Sequence, residues 1–199
     1  MSPEWRSLRD RRMDLRKALL PRRFSKLGSY TDKQRYDAAA FRFLFNAELE
    51  SYFESLAKIV AKHAEDRWKG HKEPTVAMIT LCARNSSSVR EPSDISSILS
   101  TRYLDRKFNE ELLKIRQLIN NNNGAKSHNI LKMFVPLGID ETSLDPSLTG
   151  ECDALGVRRG AIAHKSSHGV IALIDPRDEF DKSASIVVML KEFEKLLDF

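Results

Sequence analysis

The sequence predicts an all-α protein, a helical bundle carrying a basic N-terminal helical arm. Three observations lead there. Apolar residues recur at steps of three and four along most of the chain, which is the spacing of one helix face. Period-two alternation, the mark of a half-buried strand, is scarce. Gly and Pro number only eight and seven in 199 residues, which suits neither a turn-rich all-β fold nor a disordered chain. Hydrophobic content of 41% and charged content of 31% fit a globular chain that buries a sizeable core without disulfides.

The elements follow in order. Residues 4–20 suit a first helix, ended by Pro21. Residues 31–68 suit a long second helix whose start Thr31 or Asp32 can cap. Along it Phe41, Leu44, Phe45, Leu49, Tyr52, Leu56, Ile59 and Val60 trace one stripe. Pro74 opens a short helix through Ala83, and the Ser-rich stretch Asn85 to Ser97, with Pro92, reads as a loop. Residues 98–120 resume a helix on Leu104, Phe108, Leu112, Ile115 and Ile119. The asparagine run 120–123 followed by Gly124 is a helix stop. A short helix over 126–135 ends at Pro136, and Asp145-Pro146 begins the next, running to about Lys165. After a loop through Gly169, Val170 to Ile174 reads as a short extended run, and Asp175-Pro176 as a turn. The last helix is expected over 179–198, with Ile186, Val187, Leu190, Phe193 and Leu197 on one face.

Charge divides the chain. The net charge is +5, but residues 1–30 hold nine Lys/Arg against three acids, a net of +6, which leaves residues 31–199 at −1. The expected organisation is therefore a basic arm over 1–30 and a helical domain over 31–199. Such an arm suits a polyanion; a solvated helix face, or an arm docked on an acidic partner, accounts for it equally well.

Several classes of function are disfavoured. Cys82 and Cys152 stand far apart without a CxxC partner and read as small buried side chains in a reducing interior. Five His are scattered without ligand spacing. The nearest approach to a metal site, His63 and His71 about Asp66, flanks a helix end, so no metal or cofactor is expected. No apolar h-region follows the basic N-terminus and no run is long enough to span a bilayer, which leads to the expectation of a cytoplasmic chain without a membrane partner. No phosphate-binding Walker loop, GxGxxG or GxSxG occurs.

The informative segment is Gly156 to Lys165, GVRRGAIAHK. Arg159 and His164 lie five residues apart on an expected helix, about 140° around it and roughly 7.5 Å along it. Two long side chains so placed can converge on one ligand. Between them Gly160, Ala161, Ile162 and Ala163 are small or apolar, a face that admits another helix, including the same helix of a second copy. Arg with His is a workable set for RNA cleavage. RNA brings its own nucleophile, the 2′-hydroxyl. His moves protons near neutral pH, and Arg grips phosphate and the charge that builds on it. The same spacing also arises by chance, with a surface Arg and a helix-ending His favoured by the C-terminal dipole.

This segment, late in an all-α chain and ahead of a loop and a final helix, resembles the R-x4-6-H motif of HEPN domains. It is closest to the RiboL-PSP-HEPN branch. There an early helix like Asn46 to Glu54 (NAELESYFE) precedes an Arg–Ala–His motif helix, a turn like Asp175-Pro176 and an amphipathic last helix. The resemblance covers about residues 31–199. It implies a metal-independent endoribonuclease that pairs two motif helices into one cleft as a homodimer. Many such proteins act as toxins of toxin–antitoxin pairs or in antiviral defence, so an antitoxin or a defence-complex partner is expected. Arg159 would hold the scissile phosphate and His164 would transfer protons, the second His coming from the partner subunit. The chain departs from the pattern at Gly160, where many active members carry Asn or Asp. It also has Ser166 two positions after the motif His, where nucleotidylated toxins carry Tyr. A non-catalytic HEPN module binding RNA, a nucleotide or a protein is the alternative.

Supporting positions are open to two readings. Glu48 falls on the apolar stripe, where a carboxylate is costly unless paired; Arg159 or Arg158 is its expected partner, and Glu50 is the alternative that the resemblance suggests. Either acid also reads as an ordinary surface residue. Lys165, Ser166 and His168 follow the motif and could touch phosphate, while Arg158 reads as exposed. Tyr52 and Phe53 read as core, and Trp5 and Trp68 lack the basic interleaving of single-strand binders.

Overall fold

A computed structural model describes residues 1–83, 101–164 and 174–197, the stretch 161–164 by its backbone alone. Among the described residues there are seven α-helices and no strand. They are α1 (Pro3–Leu19), α2 (Asp32–His71), α3 (Val76–Ala83), α4 (Thr101–Asn120), α5 (Ser127–Phe134), α6 (Pro146–His164) and α7 (Pro176–Glu194), with a single 3-10 turn at Glu141–Ser143. The all-α reading is therefore correct. No described helix is long and apolar enough to cross a membrane.

The chain forms two compact units. The first takes Met1–Phe53, Asn123–Asn129 and Leu144–Lys195, so that it contains α1, the first half of α2, the loop before α5, α6 and α7. Its core is Phe41, Phe45, Leu49 and Phe53 of α2 with Leu148 and Leu155 of α6 and Ile186, Leu190 and Phe193 of α7, all buried. The Phe53 and Phe193 rings meet edge to face at 5.4 Å, the arrangement that an aromatic quadrupole favours.

Within this unit α1 lies against α7. Ser2 caps α1 by accepting from the Trp5 amide at 2.9 Å, and its own amide donates to Glu194 Oε2 at 2.9 Å. Trp5 is buried and donates from Nε1 to the Val187 carbonyl at 2.9 Å. Arg12 is buried too, donating to Ser183 Oγ at 2.7 Å and to the Phe180 carbonyl at 3.0 Å, with its guanidinium 4.1 Å from the Phe180 ring centre. The basic segment is thus docked by one face, and Arg6, Arg9, Arg11 and Lys17 remain exposed on the other.

The second unit takes Glu54–Asn122, Ile130–Ser143 and the residues from Leu196. Leu56, Val60 and Ala64 of α2, Met78 and Leu81 of α3, and Phe108, Leu112 and Ile119 of α4 are buried in it, and α3 packs on α4. Trp68 donates from Nε1 to Asp105 at 2.6 Å. Gly138, with φ +99°, makes a turn in which an added Cβ would stand 2.6 Å from Val76 Cγ1.

Three expectations need correction. Leu44 is 42% exposed, so it leaves the α2 stripe. Asp175-Pro176 is a helix start rather than a free turn. Asp175 accepts from the Arg177 and Asp178 amides, Pro176 needs no donor in the first turn, and α7 therefore begins three residues early. Arg158 is half-buried rather than exposed. The expected loop over 85–97 and the extended run over 170–173 lie outside the described residues, whereas Ile174 is buried and not in a strand.

Candidate functional site

Asp145 starts α6 by accepting from the Ser147 amide at 2.8 Å. Leu148, Cys152 and Leu155 form its buried side, which turns later residues of the helix toward the loop before α5. Burial pushes the Cys152 thiol up to about 12 and the Cys82 thiol up to about 11, so both stay protonated and unreactive at neutral pH.

Arg159 opens onto a pocket of about 500 Å³ within the first unit. Three pieces of chain build it. Helix α2 contributes Phe43 and Asn46, the segment 123–129 contributes Asn123, Lys126, His128 and Asn129, and α6 contributes Gly156, Arg159 and Gly160. The Arg159 guanidinium stands 5.0 Å from the Phe43 ring centre, a cation–π contact that holds the head group in place. Among the described lining side chains three are basic or can become so, and none is acidic. A pocket of this kind concentrates anions.

The loop is shaped by bonds that the sequence conceals. Gly124, with φ +114°, donates its amide to Glu50 Oε1. The Asn129 amide group donates to the Asn123 and Gly124 carbonyls, each at 3.0 Å. Ser127 donates its amide and its hydroxyl to the two oxygens of Asp153 on α6, at 2.8 and 2.7 Å. Gly156 lets Lys126 lie directly against α6, since a Cβ there would come 2.7 Å from Lys126 Cε. Asn46 is only 2% exposed and lines the pocket.

The anticipated residues separate accordingly. Arg159 is at the pocket. His164 closes α6, five positions further along the same helix. Glu50 sits behind the loop and braces Gly124. Glu48 does not line the pocket, and among the described residues no ion pair joins it to Arg158 or Arg159; its half-buried position tolerates a carboxylate without one. Lys165, Ser166 and His168 lie outside the described residues. The paired acid on the α2–α7 side is Glu179. It accepts from Arg42 Nε at 2.8 Å and Nη2 at 2.6 Å, both residues being buried, and Arg42 Nη1 donates to the Arg158 carbonyl at 3.3 Å. Sequence reasoning missed Phe43, Asn46, Lys126, His128 and Asp153. The available signal was the K-S-H spacing directly after a glycine helix stop, which puts basic groups on an exposed turn.

Searches of curated proteins and of solved structures returned no match to this chain. The profile of the RiboL-PSP-HEPN family matches residues 10–198. With an all-helical fold and its Arg159–His164 motif late in the chain, the protein belongs to the RiboL-PSP-HEPN family.

Proposed function

We propose that this chain is a metal-independent endoribonuclease, a toxin or phage-defence effector that acts as a homodimer. The observation that carries the reading is the pocket in which Arg159 stands with Lys126 and His128 and with no acidic side chain among its described lining residues. RNA presents a phosphodiester and a neighbouring 2′-hydroxyl. Arg159 would bind the phosphate through paired N–H groups and stabilise the charge that grows on its oxygens. His164 would take the 2′-hydroxyl proton or protonate the leaving 5′-oxygen. The O2′–P bond forms as the P–O5′ bond breaks, giving a 2′,3′-cyclic phosphate and a 5′-hydroxyl. The nucleophile is the substrate's own, so neither a bound water nor a metal is required. The small residues Gly160, Ala161 and Ala163 suit close approach of a second α6, and the exposed arginines of α1 suit contact with flanking RNA phosphates.

A second reading, a non-catalytic module that binds RNA, a nucleotide or a partner protein, is favoured by one feature. Gly160 stands in the pocket lining where a polar side chain would otherwise orient the arginine or the phosphate. The test is cleavage of a mixed RNA pool in EDTA by the wild-type chain, Arg159→Ala and His164→Ala, with product ends determined. Cyclic-phosphate ends from the wild type alone support the enzyme. Metal-dependent cleavage leaving 3′-hydroxyl ends refutes the mechanism, and intact RNA that is nevertheless bound in an Arg159-dependent way supports the module.

A further inference from the structure

Cleavage by this route needs two proton transfers in opposite directions, and the motif supplies one imidazole per chain. We infer that His128 is a proton-transfer residue of the Arg159 pocket, opposite in role to His164; this rests on the endoribonuclease reading. The argument begins with position. His128 is exposed, and it lines the same pocket as Arg159. It stands in the first turn of α5, and that turn is fixed to α6 by the two hydrogen bonds from Ser127 to Asp153. The preceding loop is fixed to α2 by Gly124 and Glu50. Bracing of the chain just ahead of His128 fixes the backbone that carries the imidazole beside the pocket.

The surroundings suit the task. From its own segment His128 is accompanied by Lys126. From α6 the charged groups are Arg159 in the pocket and Asp153, whose two oxygens are engaged by Ser127. From α2 the pocket receives the uncharged Phe43 and Asn46, and Glu50 is turned to the Gly124 amide. Among the described residues no carboxylate lines the pocket to compete with phosphate for the imidazole. Asn46, which is buried, adds an amide to the pocket wall. The site thus offers two cations for the phosphate oxygens, an amide for a sugar or base edge, and an imidazole for the proton. If the imidazole is the acid, its N–H proton passes to O5′ as the P–O5′ bond breaks; if it is the base, it takes the 2′-hydroxyl proton as O2′ attacks.

The experiment uses the full chain and a short single-stranded RNA of mixed sequence in EDTA, and the cut site is then mapped. His128→Ala and wild type are compared across pH, together with an RNA carrying sulfur in place of the 5′-bridging oxygen at that site. The expected result is a loss of about 100-fold or more in kcat, with one limb of the pH profile removed and the melting temperature unchanged, since the residue is exposed. Restoration on the sulfur substrate, whose leaving group needs no proton, assigns the acid role; continued loss assigns the base role. Wild-type cleavage that survives His128→Ala with its pH profile intact overturns the assignment and leaves the ribonuclease reading standing. No cleavage by the wild type overturns both.

Discussion

The buried Arg42–Glu179 pair offers the sharpest test of how the Arg159 region is held. The two side chains are 6% and 5% exposed, and their two bonds of 2.8 and 2.6 Å form a fork-to-carboxylate contact between α2 and α7. Arg42 also reaches the Arg158 carbonyl on α6, so one guanidinium ties three helices of the first unit. Removing one partner leaves the other charge buried without compensation, which costs about 3–5 kcal/mol. For a chain of this length each kcal/mol lowers the melting temperature by roughly 2–4 °C. Arg42→Ala should therefore lower it by about 6–20 °C. Replacing both partners by Met should recover most of that loss, because the desolvation cost of two charges disappears with them. Thermal unfolding followed by circular dichroism on the two single variants and the double variant measures this. A single-variant loss below about 1 kcal/mol, or a double variant that loses the sum of the singles, would refute the reasoning, because the pair would then not be a coupled buried ion pair. If the chain is the endoribonuclease proposed above, RNA cleavage by the double variant should also fall even where its stability is recovered, since the anchor on the Arg158 carbonyl beside Arg159 is gone.

Two other predictions follow from the second unit. Gly138→Ala combines a positive φ with a Cβ placed 2.6 Å from Val76 Cγ1, so a loss of about 2 kcal/mol or more is expected in urea unfolding; a neutral substitution would mean that the turn does not hold this conformation. The Glu65 carboxyl is held below the usual glutamate range, first by the hydrogen bond from Lys69 and then by Arg116, against the opposing effect of burial. A depressed folded-state value contributes stability that is present above the unfolded-state value and is lost as pH falls through the folded one. The melting temperature of Glu65→Gln should therefore lie below wild type at neutral pH, with the gap closing under acid conditions, and a gap independent of pH would contradict it.

The legible part of this protein is the part written in local periodicity. Helix stripes such as Phe41, Phe45, Leu49 and Leu56, the Asp145-Pro146 start and the Asn-Gly stop repeat a chemistry that acts over one or two turns, and these elements appear within a few residues of their expected bounds. Arg159 was legible for the same reason, since its motif lies within a single helix. What surrounds it was not. Lys126 and His128 precede Arg159 by some thirty residues, and Asn46 by more than a hundred. Only the packing of α2, the braced loop and α6 makes them neighbours. The same holds for the acid expected beside the motif. Sequence pattern offered Glu48 or Glu50 for that place, with a surface role open to each, yet the buried pairing that forms is Arg42 with Glu179, 137 positions apart. Local pattern determines which side of each helix is buried; which polar groups then meet is decided by how the helices pack, because ion pairs and pockets are made across elements rather than along them.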